Sequence, residues 1–194
     1  MIEIHPDTRA LIFDCDGTLA DTMPLHWQAW YETFDAFGIS CPHDVLEQLK
    51  GAPTEDIIEY INKSFGYHVD IALFTKEKEK RSREKLKDTK PIIPVVNLAI
   101  KFKGKFPMAV ASGGKRINVD LTLETIGLQD HFDAILTADD KIKPKPAPDL
   151  FLEAAKRLNT EPRFCQVFED SDLGIEAAKK ANMFATDVRI YLND

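Results

Sequence analysis

The chain has 194 residues, of which 44% are hydrophobic and 29% are charged, a balance typical of a globular protein that can bury a sizeable core. Its formal net charge of −7 makes nucleic acids and anionic membranes poor partners, because the protein repels both over most of its surface. An anionic substrate would therefore require local positive charge at its binding site.

The three cysteines, Cys15, Cys41 and Cys165, are too few and too widely spaced for a disulfide framework or a zinc site. The first residues lack the basic and apolar segments of a signal peptide, and no apolar stretch approaches the roughly 20 residues that span a bilayer. We therefore expect a cytoplasmic protein without a membrane partner. A monomer is the working hypothesis, although the sequence contains no direct signal of the oligomeric state.

A short apolar run at residues 10–13 predicts a buried strand, and it ends abruptly in the sequence DCDG at 14–17. Apolar residues with helical spacing follow, and Asp21 or Thr22 is expected to cap the first helix. Predicted helices cover residues 24–38, 45–50, 55–65 and 71–87. No convincing strand pattern occurs between residues 21 and 88.

Beyond residue 90, strand and helix patterns alternate. The predicted strands lie at residues 106–111, 132–137, 165–168 and 183–188. The predicted helices lie at residues 115–126, 148–158 and 172–181. Alternation of this kind predicts an α/β fold with a parallel sheet that helices cover on both faces. We expect a discontinuous core of residues 1–19 and 89–194, with an all-helical domain of residues 20–88 inserted after the first strand.

Polar residues follow the predicted strands directly. Asp14 and Asp16 come after the first strand and Ser112 after the second. The acidic pair at 169–170 follows a later strand, and Lys145 lies in the loop before it. Because ligands bind at the carboxyl ends of the strands in an open parallel sheet, we expect these side chains to share one site.

Several carboxylates in one place would repel each other and raise each other's pKa values, and a divalent cation removes this cost. Oxygen ligands favour Mg²⁺, which binds one or two carboxylates together with substrate phosphate. Lys145, the hydroxyl of Ser112 and the backbone N–H groups near Gly113 suit the remaining oxygens of a phosphoryl group. The sequence therefore predicts Mg²⁺ as the cofactor and a small phosphorylated molecule as the substrate.

Four segments, in order and spacing, resemble the motifs of the haloacid dehalogenase superfamily. They are DCDGTLAD at 14–21, VASG at 110–113, KPAPDLF at 145–151 and FEDSDLGIEAA at 168–178. One such motif is weak evidence, but the four together cover nearly the whole chain. The helical insert resembles the small cap of the beta-phosphoglucomutase-like subgroup, which implies a Rossmann-like core.

The resemblance implies a phosphatase that works through an aspartyl-phosphate. Asp14 would be the nucleophile, and Asp16 would protonate the leaving group and later activate water. The phosphoryl group would be bound by Ser112, Gly113 and Lys145. The implied metal ligands are Asp14, the backbone carbonyl of Asp16, Asp170 and, directly or as an outer ligand, Glu169.

Two features of the helical insert bear on the substrate. His26 lies one turn into the first predicted helix, where it either packs structurally or, as the subgroup's pattern implies, faces the hydroxyls of a sugar. Lys50, Gly51 and Thr54 fall in a segment that resembles the subgroup's specificity loop. The mutases carry an arginine where Thr54 stands, and threonine lacks the charge and the fork that bind a second phosphate group.

The sequence GAPT at 51–54 and DVR at 187–189 resemble bacterial sugar phosphatases that act on fructose 1-phosphate. Thr18 favours the same group, because mutases often have an aliphatic residue there; its other interpretation is a residue that orders the loop. We therefore predict a phosphatase of sugar phosphates. One alternative is a beta-phosphoglucomutase, in which Lys50 or a base from 76–90 supplies the second phosphate site. The other is a non-catalytic protein that binds a phosphorylated ligand.

Overall fold

A computed structural model of the chain describes residues 2–49 and 54–192. The chain forms two compact units, one of Met1–Thr22 with Asp88–Asp194 and the other of Met23–Lys87. We call the first the core unit and the second the helical unit. The helical unit lies within the segment for which the sequence predicts an inserted helical domain. In the part of the chain that the structure describes, no helix has the length and apolar character needed to cross a membrane.

The described residues form seven strands and eight α-helices, numbered in chain order. The strands are β1 (Ala10–Phe13), β2 (Ala20–Asp21), β3 (Lys90–Pro91), β4 (Met108–Ala111), β5 (Ala134–Leu136), β6 (Cys165–Glu169) and β7 (Phe184–Asp187). The helices of the helical unit are α1 (Met23–Phe37), α2 (His43–Gln48), α3 (Thr54–Phe65) and α4 (Ile71–Leu86). Those of the core unit are α5 (Ile93–Phe102), α6 (Arg116–Thr125), α7 (Asp149–Arg157) and α8 (Asp172–Lys180).

Five parallel strands form the sheet of the core unit, in the order β5-β4-β1-β6-β7. Every residue of β1, β4 and β6 is buried, as expected for parallel strands that are covered on both faces. The predicted α/β fold with a parallel sheet is thus confirmed. Because β1 is the central strand, the residue that follows it lies between the ends of its two neighbours.

Successive residues of β1 enter two different hydrophobic clusters, because strand side chains alternate between the faces of a sheet. Leu11 and Phe13 join the cluster that includes residues of α5 and α6. Ile12 joins the cluster that includes residues of α7 and α8. Helix packing on both faces therefore fixes the sheet and, with it, the loops at the carboxyl ends of the strands.

Aromatic packing holds the helical unit together. Phe74 of α4 is fully buried, and its ring centroid lies 5.8 Å from that of Trp30, 5.6 Å from that of Phe34 and 5.1 Å from that of Phe37. Asp70 caps α4, because its carboxylate accepts a hydrogen bond of 2.9 Å from the N–H of Leu73.

Two features of the core unit escape the sequence prediction. β2 pairs antiparallel with β3, and each strand has only two residues, too few to show a periodic pattern. Helix α5 is also unpredicted; it begins beside Pro94, and its sequence IPVVNLAIKF is apolar on nearly every side. A continuous apolar run of this kind does not separate a helix from a strand.

Candidate active site

The candidate site lies at the carboxyl ends of β1, β4 and β6, which we call the rim. Asp14 directly follows β1, and its N–H donates a 3.0 Å hydrogen bond to the carbonyl of Phe168 on β6. Its side chain is nearly buried, with 6% of the residue exposed. The carboxylate accepts a hydrogen bond of 2.6 Å from the Lys145 ammonium. An acidic side chain is thus held rigidly at the centre of the rim with a cation beside it.

Lys145 bridges two carboxylates. Its Nζ lies 2.6 Å from Asp14 Oδ1 and 3.3 Å from Glu169 Oε1. The ammonium also lies 5.1 Å from the centroid of the Phe151 ring, within range of a cation–π contact. Burial on its own would lower the pKa of Lys145, but the carboxylates of Asp14 and Glu169 outweigh it and keep that pKa above its usual value. The lysine is therefore a fixed positive charge.

Glu169 and Asp170 form the acidic side of the rim. Glu169 is 1% exposed, and besides Lys145 it accepts hydrogen bonds from the hydroxyl of Ser171 at 2.7 Å and from the N–H of Asp170 at 3.0 Å. Asp170 accepts a hydrogen bond of 3.2 Å from the fully buried hydroxyl of Thr18. Thr18, which the sequence places in the substrate-binding set, thus contacts a carboxylate of the rim.

Gly17 allows the loop after β1 to approach Asp170. Its φ is +86°, a conformation that favours glycine, and its N–H donates a hydrogen bond of 2.8 Å to the carbonyl of Ala20. A Cβ at this position would lie 2.3 Å from Asp170 Oδ2. Any side chain at residue 17 would therefore displace a carboxylate of the site.

Asp16 lies between two hydroxyl groups. The fully buried hydroxyl of Thr22 donates a hydrogen bond of 2.6 Å to Asp16 Oδ1, and that of Ser112 lies 3.5 Å from Asp16 Oδ2. The Ser112 hydroxyl also accepts the N–H of Gly114 at 2.9 Å. Thr22 is a site residue that the sequence prediction misses, since helix capping is the role expected for it. The signal in the sequence that could have identified Thr22 is its position six residues after Asp16.

The rim fits a divalent cation. One carboxylate oxygen from each of Asp14, Glu169 and Asp170 lies within 4.8 Å of the others. Burial raises the pKa of Asp14 well above its usual value, and Glu169, Asp170 and Asp16 add to this effect, while Lys145 offsets part of it. A bound cation would remove this unfavourable concentration of negative charge, and the all-oxygen ligand set suits Mg²⁺.

The structure describes three further residues of the predicted site. Gly113 is exposed in the loop after Ser112. His26 on α1 and Thr54, the first residue of α3, are partly buried in the helical unit. Lys50 and Gly51 lie outside the described residues. Within the core unit, the structure thus brings together the predicted residues of the rim: Asp14, Asp16, Thr18, Ser112, Lys145, Glu169 and Asp170.

Comparison with known proteins identifies the family. The chain matches the haloacid dehalogenase-like hydrolase family over residues 11–188. It is 38% identical over 180 residues to the fructose-1-phosphate phosphatase YqaB of Escherichia coli, a match that covers 93% of this chain and 96% of that protein. The beta-phosphoglucomutase of Bacillus subtilis is 31% identical over 191 residues, covering 93% of this chain and 83% of that protein.

Comparison with a solved structure supports the same fold. A crystal structure of beta-phosphoglucomutase from Clostridium difficile matches with a TM-score of 0.78 and 30% identity, covering 93% of this chain and 84% of that one. The fold, the family and the enzyme class that the four motifs predict are confirmed. The chain belongs to the haloacid dehalogenase-like hydrolases and is an enzyme of the family's phosphatase type.

Proposed function

We propose that the protein is a Mg²⁺-dependent phosphomonoesterase that hydrolyses small sugar phosphates through an aspartyl-phosphate on Asp14. The observation that carries this proposal is the placement of Asp14, a buried carboxylate with the fixed cation of Lys145 on one side and two further carboxylates within 4.8 Å. A phosphoryl group needs these parts: a nucleophile, positive charge for its oxygens, and oxygen ligands for a metal.

In the first half of the reaction, the carboxylate of Asp14 attacks phosphorus and the bond between phosphorus and the sugar oxygen breaks. Asp16 donates a proton to that oxygen, so the sugar leaves as an alcohol. Lys145, the hydroxyl of Ser112 and the N–H groups near Gly113 bind the phosphoryl oxygens. Asp14, Asp170 and the backbone carbonyl of Asp16 would hold Mg²⁺, which when bound neutralises charge on the phosphoryl oxygens.

In the second half, Asp16 is a carboxylate and takes a proton from water. The water oxygen attacks phosphorus, the bond to Asp14 breaks, and inorganic phosphate leaves. Asp16 can serve both halves only if its carboxylate stays in one place, and the hydrogen bond from Thr22 supports that placement. We therefore assign Thr22 as a positioning residue of the acid–base group.

A sugar phosphate of the fructose 1-phosphate type is the substrate we propose. The relative that is 38% identical to this chain is a fructose-1-phosphate phosphatase. In addition, Thr54 stands where the mutases carry an arginine for the second phosphate group, and it cannot replace the charge of that arginine. The similarity to beta-phosphoglucomutase makes an isomerase the second candidate. The cytoplasmic location, the monomeric state and the absence of nucleic-acid and membrane partners stay predictions.

The test is release of inorganic phosphate from fructose 1-phosphate and from beta-glucose 1-phosphate, with Mg²⁺ and with chelator, and with Asp14→Asn as the matched control. We expect release that requires both Mg²⁺ and Asp14 and that is faster with fructose 1-phosphate. Glucose 6-phosphate formed from beta-glucose 1-phosphate without net phosphate release would establish the mutase instead. Equal activity of Asp14→Asn and the unchanged enzyme would contradict the mechanism.

A further inference from the structure

The first turn of α8 encloses the carboxylate of Glu169. Ser171, the residue before the helix, donates its hydroxyl hydrogen to Glu169 Oε1 at 2.7 Å. The same hydroxyl oxygen accepts the N–H of Gly174 at 3.1 Å, which caps the helix. One serine therefore joins the start of α8 to an acidic side chain at the end of β6.

Gly174 contacts the same carboxylate from the helix itself. A Cβ at this position would lie 1.8 Å from Glu169 Oε1, 2.1 Å from Cδ and 2.4 Å from Cγ, and these are the three atoms nearest to it. Such a clash costs little stability when the neighbouring side chain can move. Glu169 cannot move freely, because it is 1% exposed and is held by Ser171, by Lys145 and by the N–H of Asp170.

Glu169 is connected to the proposed reaction centre through Lys145. The oxygen that accepts the Ser171 hydroxyl also accepts the Lys145 ammonium, and Lys145 in turn contacts the nucleophile, Asp14. A shift of the Glu169 carboxylate would therefore move the charge that binds phosphoryl oxygens. Helix capping alone explains the bond from Gly174 to Ser171, but it does not explain the bond from Ser171 to Glu169 or the absence of space at residue 174.

We propose that Ser171 and Gly174 are positioning residues: together they fix the carboxylate of Glu169 and, through it, the ammonium of Lys145 beside Asp14. The catalytic part of this inference rests on the proposed phosphatase function. The structural part does not rest on it: Ser171 and Gly174 together restrain the carboxylate of Glu169, and we call this arrangement the clamp.

A double-mutant cycle in thermal unfolding tests the clamp. In the otherwise unchanged protein, Gly174→Ala should lower the unfolding midpoint by several degrees, because the new methyl group displaces Glu169. In the Glu169→Ala background these three nearest atoms are gone, and the same change should raise the midpoint by about 2 to 4 °C, since alanine favours a helix over glycine. An equal shift of the midpoint in both backgrounds overturns the proposal.

Variants of Ser171 separate the clamp from the helix cap and test the catalytic part. Ser171→Gly keeps most of the capping preference but removes the hydroxyl, whereas Ser171→Thr keeps both. We expect Ser171→Gly to lower kcat/KM about 10-fold or more and to weaken the binding of inorganic phosphate, measured calorimetrically with Mg²⁺. The unfolding midpoint should fall by a few degrees, because the buried carboxylate of Glu169 loses one hydrogen bond. Ser171→Thr should retain the kcat/KM and the phosphate binding of the unchanged enzyme.

The failures of the two ideas are distinguishable. Unchanged kcat/KM and phosphate binding in Ser171→Gly would mean that Ser171 only caps α8, and the positioning role would be wrong. If the unchanged protein itself neither binds nor releases phosphate, the proposed function fails, while the unfolding cycle still decides whether Gly174 and Glu169 are coupled.

Discussion

At the rim of the core unit, the buried polar side chains are hydrogen-bonded, whereas in the described part of the helical unit two buried hydroxyls have no hydrogen-bond partner. Asp14, Thr18, Thr22, Ser112 and Glu169 are each buried and each hydrogen-bonded. Among the described residues of the helical unit, Thr75 and Ser82 bury their hydroxyl oxygens without a hydrogen-bond partner. The helical unit depends on the aromatic cluster around Phe74 instead. Removal of a hydrogen-bonded hydroxyl should therefore impair the activity of the rim, whereas removal of the Thr75 or Ser82 hydroxyl should not destabilise the helical unit.

The largest expected effect is the loss of the nucleophile. Asp14→Asn should reduce phosphate release by about 10,000-fold or more, because an amide cannot form the covalent intermediate. The measurement is the rate of phosphate release at saturating substrate and Mg²⁺. Loss of a nucleophile typically lowers the rate by several orders of magnitude. A residual activity within about 10-fold of the unchanged enzyme would therefore show that Asp14 is not the nucleophile.

The same variant should be more stable than the unchanged protein in the absence of divalent cations. Because the folded state raises the pKa of Asp14, folding retains a proton there, and the ionised carboxylate costs stability as the pH rises above its unfolded pKa of about 4. Asparagine carries no such cost. The midpoint difference between the variant and the unchanged protein, measured in chelator, should therefore widen from acidic to neutral pH. A difference that is constant with pH would contradict this account.

In the helical unit the largest effect should come from an apolar side chain. Phe74→Ala removes the ring that contacts Trp30, Phe34 and Phe37, and should lower the free energy of unfolding of this unit by about 3 to 5 kcal/mol. Phe74→Leu is the matched control, because it keeps most of the volume. Both tryptophans of the chain lie on α1, so tryptophan fluorescence follows this unit selectively during denaturation. Equal losses in the two variants would refute the packing argument.

Thr22 tests the rim through a single hydroxyl. Thr22→Val keeps the shape of the side chain but removes the hydrogen bond from Thr22 to Asp16 Oδ1, so kcat should fall about 10-fold, the scale of one hydrogen bond to a charged group. Thr22→Ser should retain activity, since it keeps the hydroxyl. A fall in kcat of the same size in both variants would show that the methyl group, rather than the hydrogen bond, matters.

The smallest effect has the opposite sign. Ser82→Ala deletes a hydroxyl that is buried in α4 without a partner, and alanine also favours the helix. The free energy of unfolding should therefore stay constant or rise by about 0.5 to 1 kcal/mol, measured by the same fluorescence. A clear loss of stability would mean that the Ser82 hydroxyl has a partner after all and that the two units do not differ in this way.

The sequence predicts those parts of the core unit that are indicated by the pattern of apolar residues and by the polar residues at the ends of predicted strands. The apolar run of β1 locates Asp14, and the rule that ligands bind at the carboxyl ends of parallel strands brings it together with Ser112 and with the acidic pair at 169–170. The family motifs add the expected role of each residue. These signals are local in the chain or depend only on the order of its elements.

What the sequence does not reveal depends on the direction of individual side chains. The hydrogen bond from Thr22 to Asp16 joins residues on either side of β2, and the contact between Gly174 and Glu169 joins α8 to the end of β6. No periodic pattern in the sequence indicates either contact. Strands of two residues, such as β2, are too short to show a period at all. The candidate loop residues Lys50 and Gly51 lie outside the described residues, so their predicted roles stay predictions.

The most direct test of the central claim is to trap the intermediate. In Asp16→Asn, phosphorylation by p-nitrophenyl phosphate needs no proton donor because the leaving group is stable as an anion, while water activation is lost. Intact mass and peptide mapping after rapid quenching should show one added phosphoryl group, located on Asp14, that accumulates in this variant and not in the unchanged enzyme. A phosphoryl group on another residue, or none at all while turnover continues, would contradict the proposed mechanism.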